Sequence, residues 1–181
     1  MPTASKSGQT STMRRLLDFL YDSAAALAAL FMVGLLGMVL LSIASRQFGF
    51  NVPGVDAYAG YLMAAAGFLA LAHTLKRGEH IRVTLLLGAL KGGLKKGFEL
   101  WALAVATLLA LLFAAYSCKL AWQSHEFHDI STGNDATPLW IPQIAMAVGT
   151  VILAVAFVDE LVLEMLGKRA EAASGEALRN E

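Results

Sequence analysis

The chain has 181 residues, 57% of them hydrophobic and 15% charged, and its 14 basic and 14 acidic residues cancel to zero net charge. So few charges cannot cover a soluble domain of this size. The single cysteine, Cys118, excludes an intramolecular disulfide and a thiolate metal cluster.

Four stretches, 23–45, 57–75, 100–118 and 136–158, contain no Asp, Glu, Lys or Arg. Even about 19 residues make ~28 Å of helix, close to the hydrocarbon thickness of a bilayer. The sequence therefore reads as an all-α integral membrane protein. Four transmembrane helices occupy 13–166, between a disordered polar tail over 1–12 and a second tail over 167–181. The apolar run after Arg14 and Arg15 is longer than a signal-peptide core, so helix one is expected to stay uncleaved.

Helix one is expected from about Met13 to Phe48, with Asp18 and Tyr21 at one interface and Arg46 and Phe48 at the other. The segment 49–54, with Asn51 and Pro53, breaks it. Helix two starts near Asp56 or Ala57, carries Tyr58 and Tyr61 at headgroup level, and ends at Lys76-Arg77-Gly78. Arg46 and Asp56 are candidate contacts to a partner subunit or to lipid.

The next segment, 81–96, is too charged to span. Ile81, Val83, Leu86, Leu87, Leu90 and Leu94 form an apolar face, with Arg82, Lys91, Lys95 and Lys96 mostly elsewhere on the wheel. This predicts an amphipathic helix lying in the membrane interface between helices two and three. Leu86, Leu87 and Leu90 are expected to meet acyl chains or a partner. Arg82 is expected to meet phosphates, and His80 backbone carbonyls at the turn.

Helix three is expected over 97–122. Ala102, Ala106, Ala110 and Ala114 recur every fourth residue, so a stripe through Ala106 and Ala110 is expected to let another helix approach closely. A long polar loop follows. His125 and His128, with Glu126 and Asp129, have helical spacing for a metal ion, but no further His or Cys completes the set. His73 and His80 lie on the opposite side, so no matched pair of haem ligands forms. No cofactor and no catalytic set is expected. Pro138, Trp140 and Pro142 mark the entry to helix four: proline is tolerated in a first helical turn, and the tryptophan anchors that turn at the interface. Asp159, Glu160 and Glu164 close the helix.

Four crossings put both termini and the linker on one side. That side carries Lys6, Arg14, Arg15, Lys76, Arg77, Arg82, Lys91, Lys95, Lys96, Lys168, Arg169 and Arg179; the other keeps Arg46 and Lys119. The positive-inside rule places the richer side in the cytoplasm. Its charges hug helix ends, which suits phospholipid headgroups and not nucleic acid. No ionisable residue lies at bilayer depth, and no pair of broken helices builds a midplane site. Alone, the chain is not expected to form a translocation path.

Lys76-Arg77-Gly78-Glu79-His80-Ile81-Arg82-Val83, at the end of a second membrane helix, resembles the R-R-G-x-H-I-x-V segment of a known family. That family is the small membrane subunit of tripartite ATP-independent periplasmic (TRAP) transporters, the DctQ-like family. Ser45-Arg46-Gln47-Phe48 is similar to its ending of helix one. Ala65-Ala66-Gly67-Phe68-Leu69-Ala70 is similar to its second helix, and Thr137-Pro138-Leu139-Trp140-Ile141-Pro142-Gln143 to its entry to helix four. The resemblance covers roughly 14–166. Asp56 stands alone where the family often has two acids, and Ala147 where a second proline is frequent.

The resemblance implies a scaffold for a large membrane subunit that takes up an organic-acid-type solute with sodium. A periplasmic binding protein delivers the solute, and the setting is the bacterial inner membrane. The alternatives are an accessory subunit of another complex, such as a cytochrome-type electron-transfer assembly, and a self-sufficient small transporter.

Overall fold

The computed structural model describes residues 6–76 and 93–166. Helix α1 spans Lys6–Phe48, α2 Val55–Lys76, α3 Gly93–Glu126 and α4 Trp140–Met165. All four are long and apolar enough to cross a membrane. The predicted interfacial segment lies largely outside the described residues, and with it His80, Arg82, Leu86, Leu87 and Leu90. Gly93 and the three residues after it belong to α3.

Two helices are longer than the sequence suggests. α1 starts at Lys6 where the apolar pattern begins near Met13, and α3 runs from Gly93 to Glu126 where 97–122 is expected. At ~1.5 Å per residue, the 43 residues of α1 make about 64 Å, roughly twice the hydrocarbon thickness. Hydropathy marks only the part inside lipid. An established helix extends into water one residue at a time, without a new nucleation cost.

The helices form a row in the order α1, α2, α4, α3. α2 and α4 are the inner pair, and α1 barely touches α4. The row bends enough for Phe68 of α2 to meet Phe113 of α3, with ring centroids 6.0 Å apart. The chain reverses after each helix, so α1 starts and α4 finishes at one end, here the terminal end. The α1–α2 and α3–α4 connections lie at the opposite, loop end.

Each outer helix packs along one seam. On α1 the buried and half-buried positions Leu17, Tyr21, Ala24, Ala28, Phe31, Leu35, Met38, Ser42 and Ser45 alternate in steps of four and three. On α3 the seam is Leu103, Thr107, Ala110, Ala114, Ser117, Ala121 and Ser124, in the same steps. A mean step of 3.5 stays on one face of a helix with about 3.6 residues per turn.

The expected alanine stripe therefore holds only in part. Four residues turn the helix about 400°, so a strict fourfold register drifts by roughly 40° per step. Ala110 and Ala114 are buried against Ala154 of α4, Ala106 is half-buried, and Ala102 has rotated out to the exposed surface.

The core sits where α1, α2 and α4 meet: Tyr21, Ala24, Ala28, Leu69, Ala72, Leu75, Ile152, Leu153 and Ala156. A close backbone approach joins the inner pair. A Cβ placed on Gly149 would lie 2.6 Å from the carbonyl carbon and oxygen of Phe68. Next to it, Thr150 is fully buried and donates its hydroxyl to the carbonyls of Met146 and Ala147, so that hydroxyl is not stranded.

Candidate functional site

Polar side chains gather at the two ends of the row. At the terminal end Lys76 closes α2. Its Nζ lies 2.9 Å from Asp159 Oδ2 of α4 and 3.8 Å from Asp18 Oδ1 of α1. The same ammonium stands 4.9 Å above the Tyr21 ring, a cation–π contact. His73 Nδ1 lies 3.7 Å from Asp22 Oδ1, again joining α2 to α1. Lys76 and Asp159 are about four-fifths buried, with side chains 23% and 18% exposed, so one cation clamps three helices. The sequence reading placed Asp159 on the basic side but did not pair it with Lys76. The available signal was that both close apolar spans of parallel helices.

At the loop end, two glycine turns shape the α1–α2 connection. Gly49 has φ +71, and the amide of Phe50 donates to the carbonyl of Ser45 at 3.1 Å. This is the glycine-capped helix stop in which the second residue beyond the helix bonds back across the last turn. Gly54 has φ +80, and a Cβ there would stand 2.8 Å from Asp135 Cβ. The turn and the long loop are thus in direct contact.

The long loop is a stapled hairpin. The Ser131 amide donates to Thr137 O at 2.8 Å and the Leu139 amide to Asp129 O at 3.0 Å, flanking the pair Ile130 and Pro138. In an antiparallel ladder the pair between two such bonds exchanges none itself, so Pro138 loses nothing by lacking an N–H. Pro142 is the third residue of α4, where an amide would have no intrahelical partner. Trp140 meets His125 edge-on at 5.3 Å, joining the end of α3 to the start of α4.

His128 has a backbone role. Its φ is +54, and the Asp129 amide donates to Ser124 O at 3.0 Å, so His128 occupies the left-handed position that ends α3. Among the described residues no group of three His, Cys, Asp or Glu is placed to share a metal ion.

Asp135 fixes this loop to α2. Its Oδ2 accepts from Tyr61 Oη at 2.9 Å and its Oδ1 from Ser131 Oγ at 2.8 Å. Thr137 Oγ1 and Tyr58 Oη are in hydrogen-bond contact at 3.2 Å. Desolvation pushes the Asp135 carboxyl up, but hydrogen bonds from Thr137, Ser131 and Tyr61 outweigh it and hold the pKa at about 2. Sequence reasoning missed Asp135. A carboxylate in a polar loop looks solvated unless the fold brings a tyrosine to it.

Between the end of α1, the turn and the loop lies a cavity of about 570 Å³. Ser42, Ser45, Arg46, Asn51, Asp56 and Asn134 supply its polar lining. Arg46 and Asp56, ten residues apart in sequence, are thereby brought to one place. Ala110 lies on the α3 seam at mid-helix with Ala106 half-buried beside it, and Pro138, Trp140 and Pro142 lie at the hinge into α4.

Four helical spans in a row, clamped by ion pairs at one end and stapled by a loop at the other, define a multi-pass, all-helical membrane protein. Residues 35–167 match the model of one family, the DctQ component of tripartite ATP-independent periplasmic transporters, and the chain belongs to that family. Comparison with curated proteins gives no match.

Proposed function

We propose that the chain is the small permease subunit of a TRAP-type transporter in the bacterial inner membrane. It braces the large transport subunit during sodium-coupled uptake of an organic-acid-type solute, and a periplasmic binding protein delivers that solute. The terminal end, with Lys76, faces the cytoplasm, and the stapled loop faces the periplasm. Family membership over residues 35–167 carries this reading.

The geometry supports a bracing role. A row of helices has two broad faces, whereas a square bundle turns its apolar surface inward. Leu27, Leu30, Val33 and Leu36 on α1, and Leu108, Leu109 and Leu112 on α3, are all exposed. Such surface suits lipid on one side and a large apolar partner on the other. The Lys76 clamp and the Asp135 staple hold the row at both ends, so the partner meets a stiff wall.

Two experiments test this. Reporter fusions after Asn51 and Gly133 should report periplasm, and fusions after Gly92 and at Glu181 cytoplasm. Co-expression with the large subunit and the binding protein should give a purifiable complex whose sodium-dependent uptake is lost without this chain. Full uptake by the large subunit alone would overturn the scaffold role.

A further inference from the structure

The cavity at the loop end carries opposite charges that do not satisfy one another. Arg46 and Asp56 both line it. Neither takes part in an ion pair with the other or with any described residue. Asp56 receives one hydrogen bond, from Ser42 Oγ at 3.5 Å, the outer limit for such a bond. Its carboxylate therefore keeps most of its acceptor capacity, and the Arg46 guanidinium keeps its donors.

From this geometry we infer that the cavity binds the headgroup of a zwitterionic phospholipid bearing a primary amine. The phosphate meets Arg46 and the ammonium meets Asp56. A simple anion would satisfy Arg46 but face the Asp56 carboxylate; a simple cation would have the converse problem. Only a ligand carrying both charges, a few ångströms apart, answers both walls. A guanidinium matches a phosphate with two parallel N–H donors. Asp56, with the side-chain oxygens of Asn51 and Asn134, offers acceptors that suit an ammonium with N–H groups. A quaternary ammonium has none and is held by aromatic cages instead.

Depth favours a lipid over a soluble ligand. The α1 span ends at Phe48 and the α2 span begins at Val55, so the cavity straddles the boundary between apolar span and polar loop. Phe48, Phe50 and Tyr58 stand exposed beside it, the aromatic composition of a headgroup layer. Acyl chains hanging from this level would run down the uncovered apolar surface of α1. The site rests on the proposed function only for its assignment to the periplasmic leaflet.

The test uses the full chain in nanodiscs of equal phosphatidylethanolamine, phosphatidylcholine and phosphatidylglycerol, with retained lipids counted by native mass spectrometry after detergent transfer. Loss of a hydrogen bond to a charged group sets the scale at about tenfold. Phosphatidylethanolamine should be retained about tenfold over the other two, and Arg46→Gln should reduce that retention by a similar factor, with Arg46→Lys restoring part of it. Asp56→Asn should abolish the preference over phosphatidylglycerol while leaving a phosphate-dependent signal, a change that mere unfolding would not produce. Thermal melting of each variant reports folding separately.

Equal retention of all three lipids would overturn the assignment, as would unchanged retention by a folded Arg46→Gln variant. So would displacement of the lipid by equimolar glycerophosphoethanolamine, which would make the ligand a soluble molecule. The chain is assayed alone and both leaflets are equivalent, so failure of the subunit reading would leave this result standing.

Discussion

Replacing Gly149 by alanine adds one methyl group where α4 lies against the backbone of α2. That methyl would lie 2.6 Å from the Phe68 carbonyl carbon and oxygen and 2.9 Å from Phe68 Cβ, against an ordinary contact of 3.4 Å or more. The shortfall is 3.4 − 2.6 = 0.8 Å. No rotamer change relieves it, because the obstructing atoms are backbone, so the helices themselves must separate. Overpacking of this kind costs about 1–3 kcal/mol. In lipid the loss is not offset by hydrophobic collapse, since association there rests on close packing.

The control is Gly67→Ala on α2, where an added Cβ meets nothing within 4 Å. There the same methyl should be neutral or raise stability by up to about 1 kcal/mol through helix propensity. Thermal unfolding of both variants in one detergent separates packing from propensity. A Gly149→Ala variant as stable as the parent, beside a destabilised Gly67→Ala, would refute the close approach.

Three further perturbations are informative. Lys76→Gln should destabilise the chain by about 1–3 kcal/mol, between the values for exposed and buried pairs, while Lys119→Gln stays within about 0.5 kcal/mol; chemical unfolding in mixed micelles measures both. Ala110→Leu, facing Ala154, should cost about 1–3 kcal/mol, and Ala102→Leu, exposed, close to nothing; equal losses would place the α3 seam elsewhere. The Asp135 staple should be indifferent to pH near neutrality. Its carboxyl is depressed from 3.8 to about 2, so its contribution is complete above the unfolded value and is lost as pH falls through about 2. A spin label at Thr132 should therefore stay immobile down to about pH 4 and loosen only below it; loosening centred between pH 5 and 7 would show that another group holds the loop.

How much of this was legible in the sequence depended on which physical term carried the information. The four spans were plain, because exclusion of charge from hydrocarbon is a strong, one-dimensional constraint. Pro138 and Pro142 were also readable as the entry to α4, because proline restricts its own backbone whatever surrounds it. The α3 packing face was half-visible: alanines marked the region, but a strict fourfold spacing ignores the helical drift that moves Ala102 away from the seam and brings Thr107 and Ser117 onto it.

The order of the helices was not legible at all, and the reason is energetic. Inside lipid, every apolar face is an acceptable neighbour for every other, so composition does not select partners. Selection falls to a few contacts between residues distant in sequence. Gly149 admits the backbone of Phe68, which makes α2 and α4 the inner pair. Lys76 then finds Asp159 at one end of that pair, and Asp135 finds Tyr61 at the other. Each partner looks ordinary alone: a glycine among apolar residues, a lysine closing a span, an aspartate in a polar loop. Only their juxtaposition is specific. The same holds for Arg46 and Asp56, each readable as an interfacial charge. The turn built by Gly49 and Gly54 gathers them into one cavity without pairing them, and two unpaired charges of opposite sign are what give that cavity a chemical preference.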